Sequence, residues 1–470
     1  MDSFDLLVIG GGINGAAIAR DAAGRGLKVL LVEKDDLAAH TSSASSKLIH
    51  GGLRYLEQLE FRLVRESLRE RGILLRTAPH IVQPLRFVLP DRPGGRPTWL
   101  LRFGLKLYDL LAGRSSLPPS HRIGPADPAR EPLQPGLALL GYWDAWVDDA
   151  RLVVLNALDA AERGAEIATR TEFLSARRGG QEWAAELSGS RSVRAEAIVN
   201  AAGPWVAEVL REGLGGGGRS GARLVRGSHI VVPRLWEGPD AYILQQPDGR
   251  VVFALPYDEF CLIGTTDIPA AAPEEAGVTA QEIDYLCAAA NNYFLEQRRA
   301  ADVLWAYAGI RALYDDGSAA AKDVTRDYRL ELDPAPGPKL LSIFGGKITT
   351  SRALAEEALE RLGIRGPAWT ATAPLPGGEG EAPLVDWLPE PQRSRMRRAY
   401  GRRLGRLLEG CSSVDELGRH FGAGLYEAEV RYLADVEFAR TADDVLWRRT
   451  KLGLRMNAAE QQALREYLGG

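Results

Sequence analysis

The chain has 470 residues, of which 45% are hydrophobic, so it is long enough for two or three domains with their own cores. Its formal net charge of −4 gives no overall attraction to nucleic acid or anionic lipid, and an anionic substrate would need a local cluster of arginines. Three scattered cysteines make neither a disulfide framework nor a metal site, which indicates a reducing compartment. Neither a signal peptide nor a membrane-spanning run is predicted.

The first elements predicted along the chain form a nucleotide-binding loop. The apolar run over residues 4–9 is typical of a parallel strand that is buried on both faces. It leads into Gly-Gly-Gly-Ile-Asn-Gly at residues 10–15, which has the spacing G-x-G-x-x-G. Gly10 allows a tight turn, Gly12 lets the backbone approach a pyrophosphate, and Gly15 lets the next helix pack closely on the strand.

A helix and a second strand complete this fingerprint. The helix is predicted over residues 16–25, and its N-terminus would hold a diphosphate through backbone N–H groups and the helix dipole. The second strand, over residues 27–32, ends at Glu33, whose carboxylate can accept hydrogen bonds from a ribose. Together these elements predict that the chain binds a dinucleotide, which the fingerprint alone leaves open between NAD and FAD.

A polar segment after the fingerprint favours a flavin. Residues 41–56 read Thr-Ser-Ser-Ala-Ser-Ser-Lys-Leu-Ile-His-Gly-Gly-Leu-Arg-Tyr-Leu, which is too polar and too rich in glycine for an ordinary core element. A nicotinamide enzyme would not need such a segment directly after Glu33, whereas FAD needs groups that reach along its ribityl chain. No second copy of the fingerprint is found downstream. One FAD and no NAD(P)H site is therefore the simpler hypothesis.

The remaining patterns predict an α/β fold in several parts. Strand-like alternation over residues 221–304 indicates a mainly β domain, and the Pro- and Trp-rich stretch 76–145 suits a cap. Residues 366–384 are rich in Pro and Gly, as in a linker. The predicted organisation is a discontinuous, Rossmann-like FAD-binding domain (1–75, 146–220 and 305–365), a mainly β substrate and cap domain (76–145 and 221–304), a linker (366–384) and a C-terminal helical domain (385–470).

Further sequence blocks follow in a characteristic order. The segment Ser-Ser-Lys-Leu-Ile-His-Gly-Gly-Leu-Arg-Tyr-Leu stands at residues 45–56. The later blocks are Ile198–Trp205, Gly227–Pro233, Gly264–Asp267, Thr325–Tyr328, Phe344–Thr350 and Arg440–Lys451. With the N-terminal fingerprint, they resemble the FAD-dependent glycerol-3-phosphate dehydrogenases over nearly the whole chain, most closely the bacterial respiratory form.

This resemblance implies an activity and a location. The enzyme would oxidise sn-glycerol 3-phosphate to dihydroxyacetone phosphate by hydride transfer to flavin N5 and pass the electrons to a membrane quinone. It would be cytoplasmic and peripheral on the inner face of the cytoplasmic membrane, without a nucleic-acid partner, and a homodimer is left open. The alternatives are an oxygen-using glycerol-phosphate oxidase, a related amine oxidase and a flavin-binding protein without catalysis.

The cofactor contacts follow from the fingerprint and the resemblance together. The serine hydroxyls of the polar segment could form a helix N-cap cluster, but beside a cofactor they also make suitable ligands. Lys347 could bond carbonyls at a helix start, or could lie near the flavin pyrimidine edge, as the resemblance implies. The expected FAD-binding residues are Gly10, Gly12, Asn14, Gly15, Glu33, Lys34, Ser42, Ser43, Ser46, Lys47, His50, Gly203, Gly346, Lys347 and Thr349.

The substrate contacts are implied by arginines in the matched blocks. Phosphate recognition requires fixed cations, preferably arginines with their planar donor fork. The resemblance places Arg54, Arg311 and Arg326 at the substrate. Ala312 stands where family members usually have proline, so the turn beside Arg311 is expected to be less rigid. Tyr55 could hydrogen-bond the substrate or pack as an aromatic side chain.

The catalytic group that accepts the hydroxyl proton is open between two histidines. His50 lies between the hydroxyl run and the glycine pair, close to the expected position of the flavin ring. His229 lies on a predicted strand of the substrate domain, where a histidine is more often structural. Together with Arg311 and Lys347, these two histidines make up the predicted catalytic set.

A predicted helix over residues 97–113 is the candidate membrane contact. It combines apolar residues such as Trp99 and Phe103 with the basic residues Arg102 and Lys106. This composition is typical of an amphipathic helix that lies on a lipid surface. The alternative is a cap helix that faces the protein core.

Overall fold

The structure is a computed structural model that describes residues 1–91, 96–215, 221–314 and 328–469. Its helices are α1 (Ile13–Gly24), α2 (Phe61–Thr77), α3 (Thr98–Ala112), α4 (Asp149–Glu162), α5 (Val206–Glu208), α6 (Ala280–Asn291), α7 (Ser351–Arg361), α8 (Gln392–Tyr400), α9 (Leu404–Leu407), α10 (Glu427–Asp435) and α11 (Ala458–Tyr467). Its strands are β1 (Asp2–Ile9), β2 (Val29–Val32), β3 (Leu48–Ile49), β4 (Val82–Asp91), β5 (His121–Arg122), β6 (Ala138–Val147), β7 (Glu166–Ala168), β8 (Phe173–Gly179), β9 (Glu182–Leu187), β10 (Arg191–Asn200), β11 (Ala222–Pro233), β12 (Ala241–Gln245), β13 (Val251–Tyr257), β14 (Phe260–Gly264), β15 (Ile268–Pro269), β16 (Trp305–Tyr314), β17 (Arg329–Leu332), β18 (Lys339–Phe344), β19 (His420–Gly422) and β20 (Leu425–Tyr426).

The first sheet is the predicted Rossmann-like layer. Its strand order is β17-β18-β10-β1-β2-β7, and β1 pairs in parallel with both β2 and β10. These central strands are almost continuously apolar because both faces are covered, on one side by α1, α4 and α7. The carboxyl ends of β1, β2 and β10 therefore meet at one edge, where α1 begins.

The second sheet is mainly antiparallel and forms the domain predicted to bind the substrate. Its order is β15-β11-β14-β13-β12-β4-β6-β3, with β16 paired to β11 and β5 paired to β6. The predicted cap therefore supplies β4 and β6 to the same sheet as residues 241–264. This arrangement places the sheet beside the edge of the first sheet where α1 begins.

Two strands differ from the predicted domain boundaries. β16 was assigned to the cofactor domain, but it pairs antiparallel with β11 from Val231↔Trp305 to Ala222↔Tyr314. β3, inside the predicted first cofactor segment, pairs with β6 of the second sheet. Both segments lead from one sheet to the other, and a chain pattern alone does not state which long-range partner a strand will take.

The C-terminal domain begins after the predicted linker and packs on the cofactor domain. It has its own apolar core and contains α8 to α11 with the small hairpin β19–β20. Arg449 makes a buried bidentate ion pair with Asp36, with N–O distances of 2.6 and 2.8 Å. Glu437 pairs in the same way with the buried Arg151 of α4. The block Arg440–Lys451 thus fastens this domain to the loop after β2.

Helix α3 has apolar residues on two faces. Leu101, Leu105 and Tyr108 are buried against the second sheet. Trp99 and Phe103 remain 70% and 62% exposed. One side of α3 therefore faces the protein core, and the other side is exposed, as a membrane contact would require. Among the described residues, the helices are all too short or too polar to cross a bilayer.

Candidate functional site

Two adjoining cavities occupy the edge where β1, β2 and β10 end. The first has a volume of about 360 Å³ and is lined by residues that include Gly10, Glu33 and Lys34. The second has a volume of about 270 Å³ and is lined by residues that include His50 and Lys347. The residues common to both linings are Gly12, Thr41, Ser42, Ala201, Gly203 and Pro204. The shared wall makes one elongated site that extends from the glycine loop into the second sheet.

The glycine loop has no room for side chains. Gly10 has a φ of +109°, and a Cβ there would lie 2.6 Å from the Ala201 carbonyl oxygen. A Cβ on Gly15 would lie 1.9 Å from the Gly10 carbonyl oxygen. A ligand in the cavities can therefore approach the backbone N–H groups at the start of α1 without a side chain in between.

Glu33 closes the loop from the end of β2. Its two carboxylate oxygens accept hydrogen bonds from the backbone N–H groups of Gly11, at 2.7 Å, and Asp35, at 2.9 Å. Burial raises the pKa of Glu33, and these two bonds act in the opposite direction. The Nζ atom of the neighbouring Lys34 lies 4.0 Å from the ring centroid of Trp205, in the wall of the first cavity.

The polar segment after Thr41 is tied to the elements on both sides of the site. The Thr41 hydroxyl donates to the Ile310 carbonyl at 2.6 Å. Ser42 Oγ accepts from the Ile13 N–H at 3.0 Å and so binds one of the free donors at the start of α1. The Ser43 hydroxyl donates to the His40 carbonyl at 3.2 Å. It therefore bonds within its own turn and does not make the predicted cofactor contact.

Lys47 also departs from its predicted role as a cofactor contact. The residue is only 1% exposed, and its Nζ lies 2.9 Å from both carboxylate oxygens of Asp149 and 3.1 Å from the Ser43 carbonyl. Ser45 Oγ donates to the same carboxylate at 2.8 Å. Because the ammonium group is committed to Asp149 at the start of α4, Lys47 fixes the segment and does not reach the cofactor cavities.

Two buried polar atoms in the second cavity, on Lys347 and Asn14, have no hydrogen-bond partner among the described residues. Lys347 Nζ is buried 3.7 Å from the ring centroid of Tyr55 and has no hydrogen-bond partner in the described chain. Asn14 donates through Nδ2 to the Gly345 carbonyl at 3.1 Å, whereas its Oδ1 is buried and unpartnered among these residues. An unpaired buried ammonium group is costly, so the geometry favours a bound acceptor beside Lys347 over a bond to carbonyls at a helix start.

His50 and His229 both face the second cavity as neutral imidazoles. Burial, with the charges of Lys347 and Arg71, lowers the pKa of His50 to about 4. Burial, with the charges of Lys47 and Arg311, holds the pKa of His229 well below its usual range. His229 Nε2 lies 2.8 Å from Ser46 Oγ, and its ring stacks on Tyr307 with the centroids 4.9 Å apart.

A third cavity of about 430 Å³ continues from the second towards α3. Its lining includes Arg54, and it shares Ser46, His50, Tyr55, Thr265 and Arg311 with the second cavity. Arg311 donates to Asp267 Oδ1 at 2.5 Å and to the Thr266 carbonyl at 3.1 Å. The structure thus brings Arg54 and Arg311 to one cavity, while Arg326 lies outside the described residues.

A buried network that no sequence pattern predicted lies under the glycine pair at 51–52. Tyr108 Oη accepts from the Gly51 N–H at 2.7 Å and donates to Asp144 at 2.8 Å. Arg71 donates to the same carboxylate at 2.5 Å. A lone carboxylate inside the apolar strand β6 is the one signal that could have pointed to Asp144.

The residues of the first two cavities fit an FAD. Along the elongated site, the carboxylate at the end of β2 comes first, the bare backbone of the glycine loop follows, and the Lys347 ammonium and Asn14 Oδ1, both unpartnered among the described residues, lie at the far end. The ribose, the pyrophosphate and the flavin of an FAD would meet these groups in that order. The adjoining arginine-lined cavity leaves room for a separate anionic substrate.

Comparison with known proteins agrees with this geometry. Residues 5–359 match the family of FAD dependent oxidoreductases, and residues 368–468 match the C-terminal domain of alpha-glycerophosphate oxidase. The chain is 51% identical to a glycerol-3-phosphate dehydrogenase of Pseudomonas aeruginosa over 99% of its own length and 95% of that protein's. It is 49% identical to a D-erythritol 1-phosphate dehydrogenase of Brucella abortus over 99% and 98% of the two chains.

A solved structure extends the comparison to the cofactor. The glycerol-3-phosphate dehydrogenase of Bacillus halodurans, complexed with FAD, superposes with a TM-score of 0.71 at 25% identity, covering 99% of this chain and 94% of the other. The match includes the C-terminal helical domain as well as both sheets. FAD is therefore the cofactor of the elongated site.

Proposed function

The chain belongs to the FAD-dependent glycerol-3-phosphate dehydrogenases, and we propose that it oxidises sn-glycerol 3-phosphate to dihydroxyacetone phosphate and passes the electrons to a membrane quinone. One observation carries the substrate proposal. Arg54 and Arg311 line a cavity that is continuous, through His50 and Tyr55, with the flavin end of the cofactor site. A phosphorylated alcohol fits that combination because the cations hold the phosphate while the carbinol carbon faces the flavin end.

The cofactor-binding residues have separate tasks. The backbone at Gly12 would receive the pyrophosphate, Gly10 forms the tight turn, Gly15 lets α1 pack closely on β1, and Glu33 would accept from the ribose. Ser42, Ser46, Asn14, Gly203, Gly346 and Thr349 line the second part of the site, and Lys34 and Trp205 line the first. FAD, when bound, supplies the acceptor for the carbinol hydride. Lys347 supplies a fixed positive charge at the flavin end.

Oxidation of the alcohol also requires a proton acceptor. His50 lines both the second and the third cavity, is neutral near pH 7, and is therefore the proposed base. His229 is the second candidate because Ser46, which lines both cavities, lies 2.8 Å from its Nε2 and could relay a proton. Comparing His50→Asn with His229→Asn separates the two: we expect the larger loss of kcat, of about 100-fold or more, for His50→Asn.

The acid limb of the activity is expected at unusually low pH. Only the neutral imidazole can accept the proton, so activity is lost as the pH falls through the pKa of His50. Because that pKa is lowered to about 4, log kcat should stay flat through the region near 6.5 where an ordinary histidine titrates. The measurement is kcat at saturating substrate against pH, with protein stability checked at each point, because kcat/KM would also report the second ionisation of the substrate phosphate, whose pKa is about 6. An inflection near 6.5 would contradict a buried histidine as the base.

The proposed reaction is tested by anaerobic mixing with glycerol 3-phosphate while the flavin absorbance is followed. Rapid bleaching is expected with this substrate, and slower bleaching with D-erythritol 1-phosphate or unphosphorylated glycerol. Absence of bleaching would overturn the proposed substrate. Reoxidation by a quinone analogue or by air then distinguishes a dehydrogenase from an oxidase.

Helix α3 is the proposed contact with the inner face of the cytoplasmic membrane. Its outward side combines exposed Trp99, Phe103 and Leu110 with the exposed cations Arg102 and Lys106. Apolar side chains beside cations suit an anionic lipid surface. The third cavity passes beneath this helix and has an apolar end where a quinone ring can enter; that end is lined by Leu53, Leu89, Leu100, Phe103 and Leu107.

Charge and polarity changes on α3 should release the protein from lipid. Together, Trp99→Asp and Arg102→Glu are expected to lower the affinity for phosphatidylglycerol-containing vesicles by about 30-fold, as measured by sedimentation, because each removes a contribution on the order of 1 kcal/mol. The matched controls are Leu384→Asp and Arg177→Glu, which alter exposed residues outside α3. If the α3 variants sediment like the wild type, this helix is not the membrane contact.

A further inference from the structure

Helix α3 touches the substrate site from its buried side. Tyr108, which is 2% exposed, lies on the opposite side of this helix from the exposed Trp99 and Phe103. Its hydroxyl accepts the Gly51 N–H at 2.7 Å. A Cβ on Gly51 would lie 2.6 Å from that hydroxyl, so the tyrosine is packed directly on the turn. One helix therefore joins an outward apolar surface to the glycine pair that precedes Arg54.

Two further residues fix the position of the Tyr108 hydroxyl. The hydroxyl oxygen lies 2.8 and 2.9 Å from the two oxygens of Asp144, which share its one proton as acceptors, and Arg71 donates to that carboxylate at 2.5 Å. The side chains of Arg71 and Asp144 are 4% and 1% exposed. These bonds join buried groups, so a shift of the Tyr108 hydroxyl would leave the Gly51 N–H or the Asp144 carboxylate with one hydrogen bond fewer.

The turn at Gly51 and Gly52 is in direct contact with Tyr55, which lines the cavity beside Lys347. Gly52 has a φ of +76°, and the ring of Tyr55 packs so closely on it that a Cβ would lie 2.1 Å from Tyr55 Cε2. Lys347 Nζ lies over the same ring, 3.7 Å from its centroid. Arg54 lies in the same short helical turn, Leu53–Leu56. Displacement of Gly51 would thus move the arginine and the tyrosine together.

We propose that Tyr108 is a positioning residue that couples the seating of α3 on a lipid surface to the geometry of the substrate site. Through Gly51 it sets Arg54 and Tyr55, with Asp144 and Arg71 as its supports. When lipid holds the outer face of α3, the Tyr108 hydroxyl is held against the turn and the arginine is ready for the phosphate. This inference rests on the proposed membrane contact and the proposed substrate, and it adds that lipid contact at α3 affects substrate binding at Arg54.

The test compares Tyr108→Phe with Tyr242→Phe, with and without phosphatidylglycerol–phosphatidylethanolamine vesicles. Tyr242 is the control because its hydroxyl is also buried and donates a hydrogen bond, to the Ala129 carbonyl at 2.9 Å, in another part of the second sheet. For the wild type, vesicles should lower the KM for glycerol 3-phosphate. For Tyr108→Phe we expect unchanged vesicle binding and a KM raised about five- to tenfold, with no response to vesicles.

Hydrogen–deuterium exchange of the peptide covering residues 48–56 gives a readout that does not depend on turnover. The Gly51 amide should be protected in the wild type, more so on vesicles, and should exchange faster in Tyr108→Phe alone. Equal exchange and equal KM in wild type and Tyr108→Phe would overturn the positioning role. If the wild type binds vesicles without a change in KM or exchange, the coupling is refuted. If it does not bind vesicles at all, the proposed membrane contact fails, and the solution KM and exchange still decide the positioning role.

Discussion

Replacing Arg311 by methionine is expected to lower kcat/KM for glycerol 3-phosphate by about 30- to 1,000-fold, mainly through a higher KM. The guanidinium group lines the substrate cavity and is held at 2.5 Å from Asp267 Oδ1. Its loss removes a charge-assisted contact to the phosphate and leaves the Asp267 carboxylate facing a dianion. Truncation of such a charged partner costs about 2–4 kcal/mol, which corresponds to this range. Steady-state kinetics, normalised to flavin content, measure the effect.

Two comparisons show whether the loss comes from the phosphate. The double variant Arg311→Met/Asp267→Asn should recover part of the lost kcat/KM, because the repelling carboxylate is neutralised. With unphosphorylated glycerol, the difference between wild type and Arg311→Met should largely disappear. Arg177→Met, an exposed arginine of β8, serves as the control for a general loss of charge. An equal loss for glycerol and its phosphate would show that Arg311 does not read the phosphate.

Local patterns were sufficient for the cofactor end of the fold. The run before the glycines, the glycine spacing and the small residues after them predicted β1, the loop and α1, which the structure has as Asp2–Ile9 and Ile13–Gly24. Helix α3 was predicted over residues 97–113 and is found over Thr98–Ala112. These elements are determined by neighbours in the chain: buried parallel strands are continuously apolar, and a helix needs its own periodicity.

The predictions for β16 and Lys47 were wrong because the contacts of both are made with distant parts of the chain. β16 takes β11 as its neighbour in the second sheet, and its own residues do not encode that choice. Lys47 stands in a segment that does border the cofactor site, but its ammonium group meets Asp149, a residue 102 positions away. Within the segment, Ser42, Ser46 and His50 line the second cavity, while Lys47 and Ser45 hold the segment to Asp149.

The support of the substrate site was equally hidden. In the sequence, Tyr108 is one of several aromatic residues in the apolar helix α3, and Arg71 is one of several charged residues in the amphipathic helix α2. Neither pattern distinguishes these residues from their neighbours. Only the fold brings them, with Asp144, under the glycine pair. Their effect on the site is indirect: Asp144 and Arg71 hold Tyr108, and Tyr108 holds the turn that carries Arg54.

Replacing Lys347 by methionine is expected to lower the midpoint potential of the bound flavin by about 30–60 mV and the rate of flavin reduction by about 10- to 150-fold. Lys347 Nζ is buried over the Tyr55 ring without a hydrogen-bond partner in the described chain, so its charge is available to the flavin end of the site. A bond to a charged group contributes about 1.5–3 kcal/mol, which for a two-electron couple gives this shift. Removal of the cation makes reduction less favourable, so the potential falls. Anaerobic spectroelectrochemistry measures the potential without substrate.

The matched control is Lys339→Met, whose ammonium group donates to the Leu362 carbonyl at 2.6 Å beside the same sheet. It should leave the potential unchanged. Methionine keeps the length of Lys347 and its packing on Tyr55, so the flavin content of Lys347→Met should match that of the wild type. A slower rate at an unchanged potential would contradict a role in stabilising reduced flavin and would place Lys347 at the substrate instead. A fall in both the midpoint potential and the rate of flavin reduction, with an unchanged KM, is expected only if the Lys347 charge acts on the cofactor. A lysine that bound the substrate phosphate would instead raise KM.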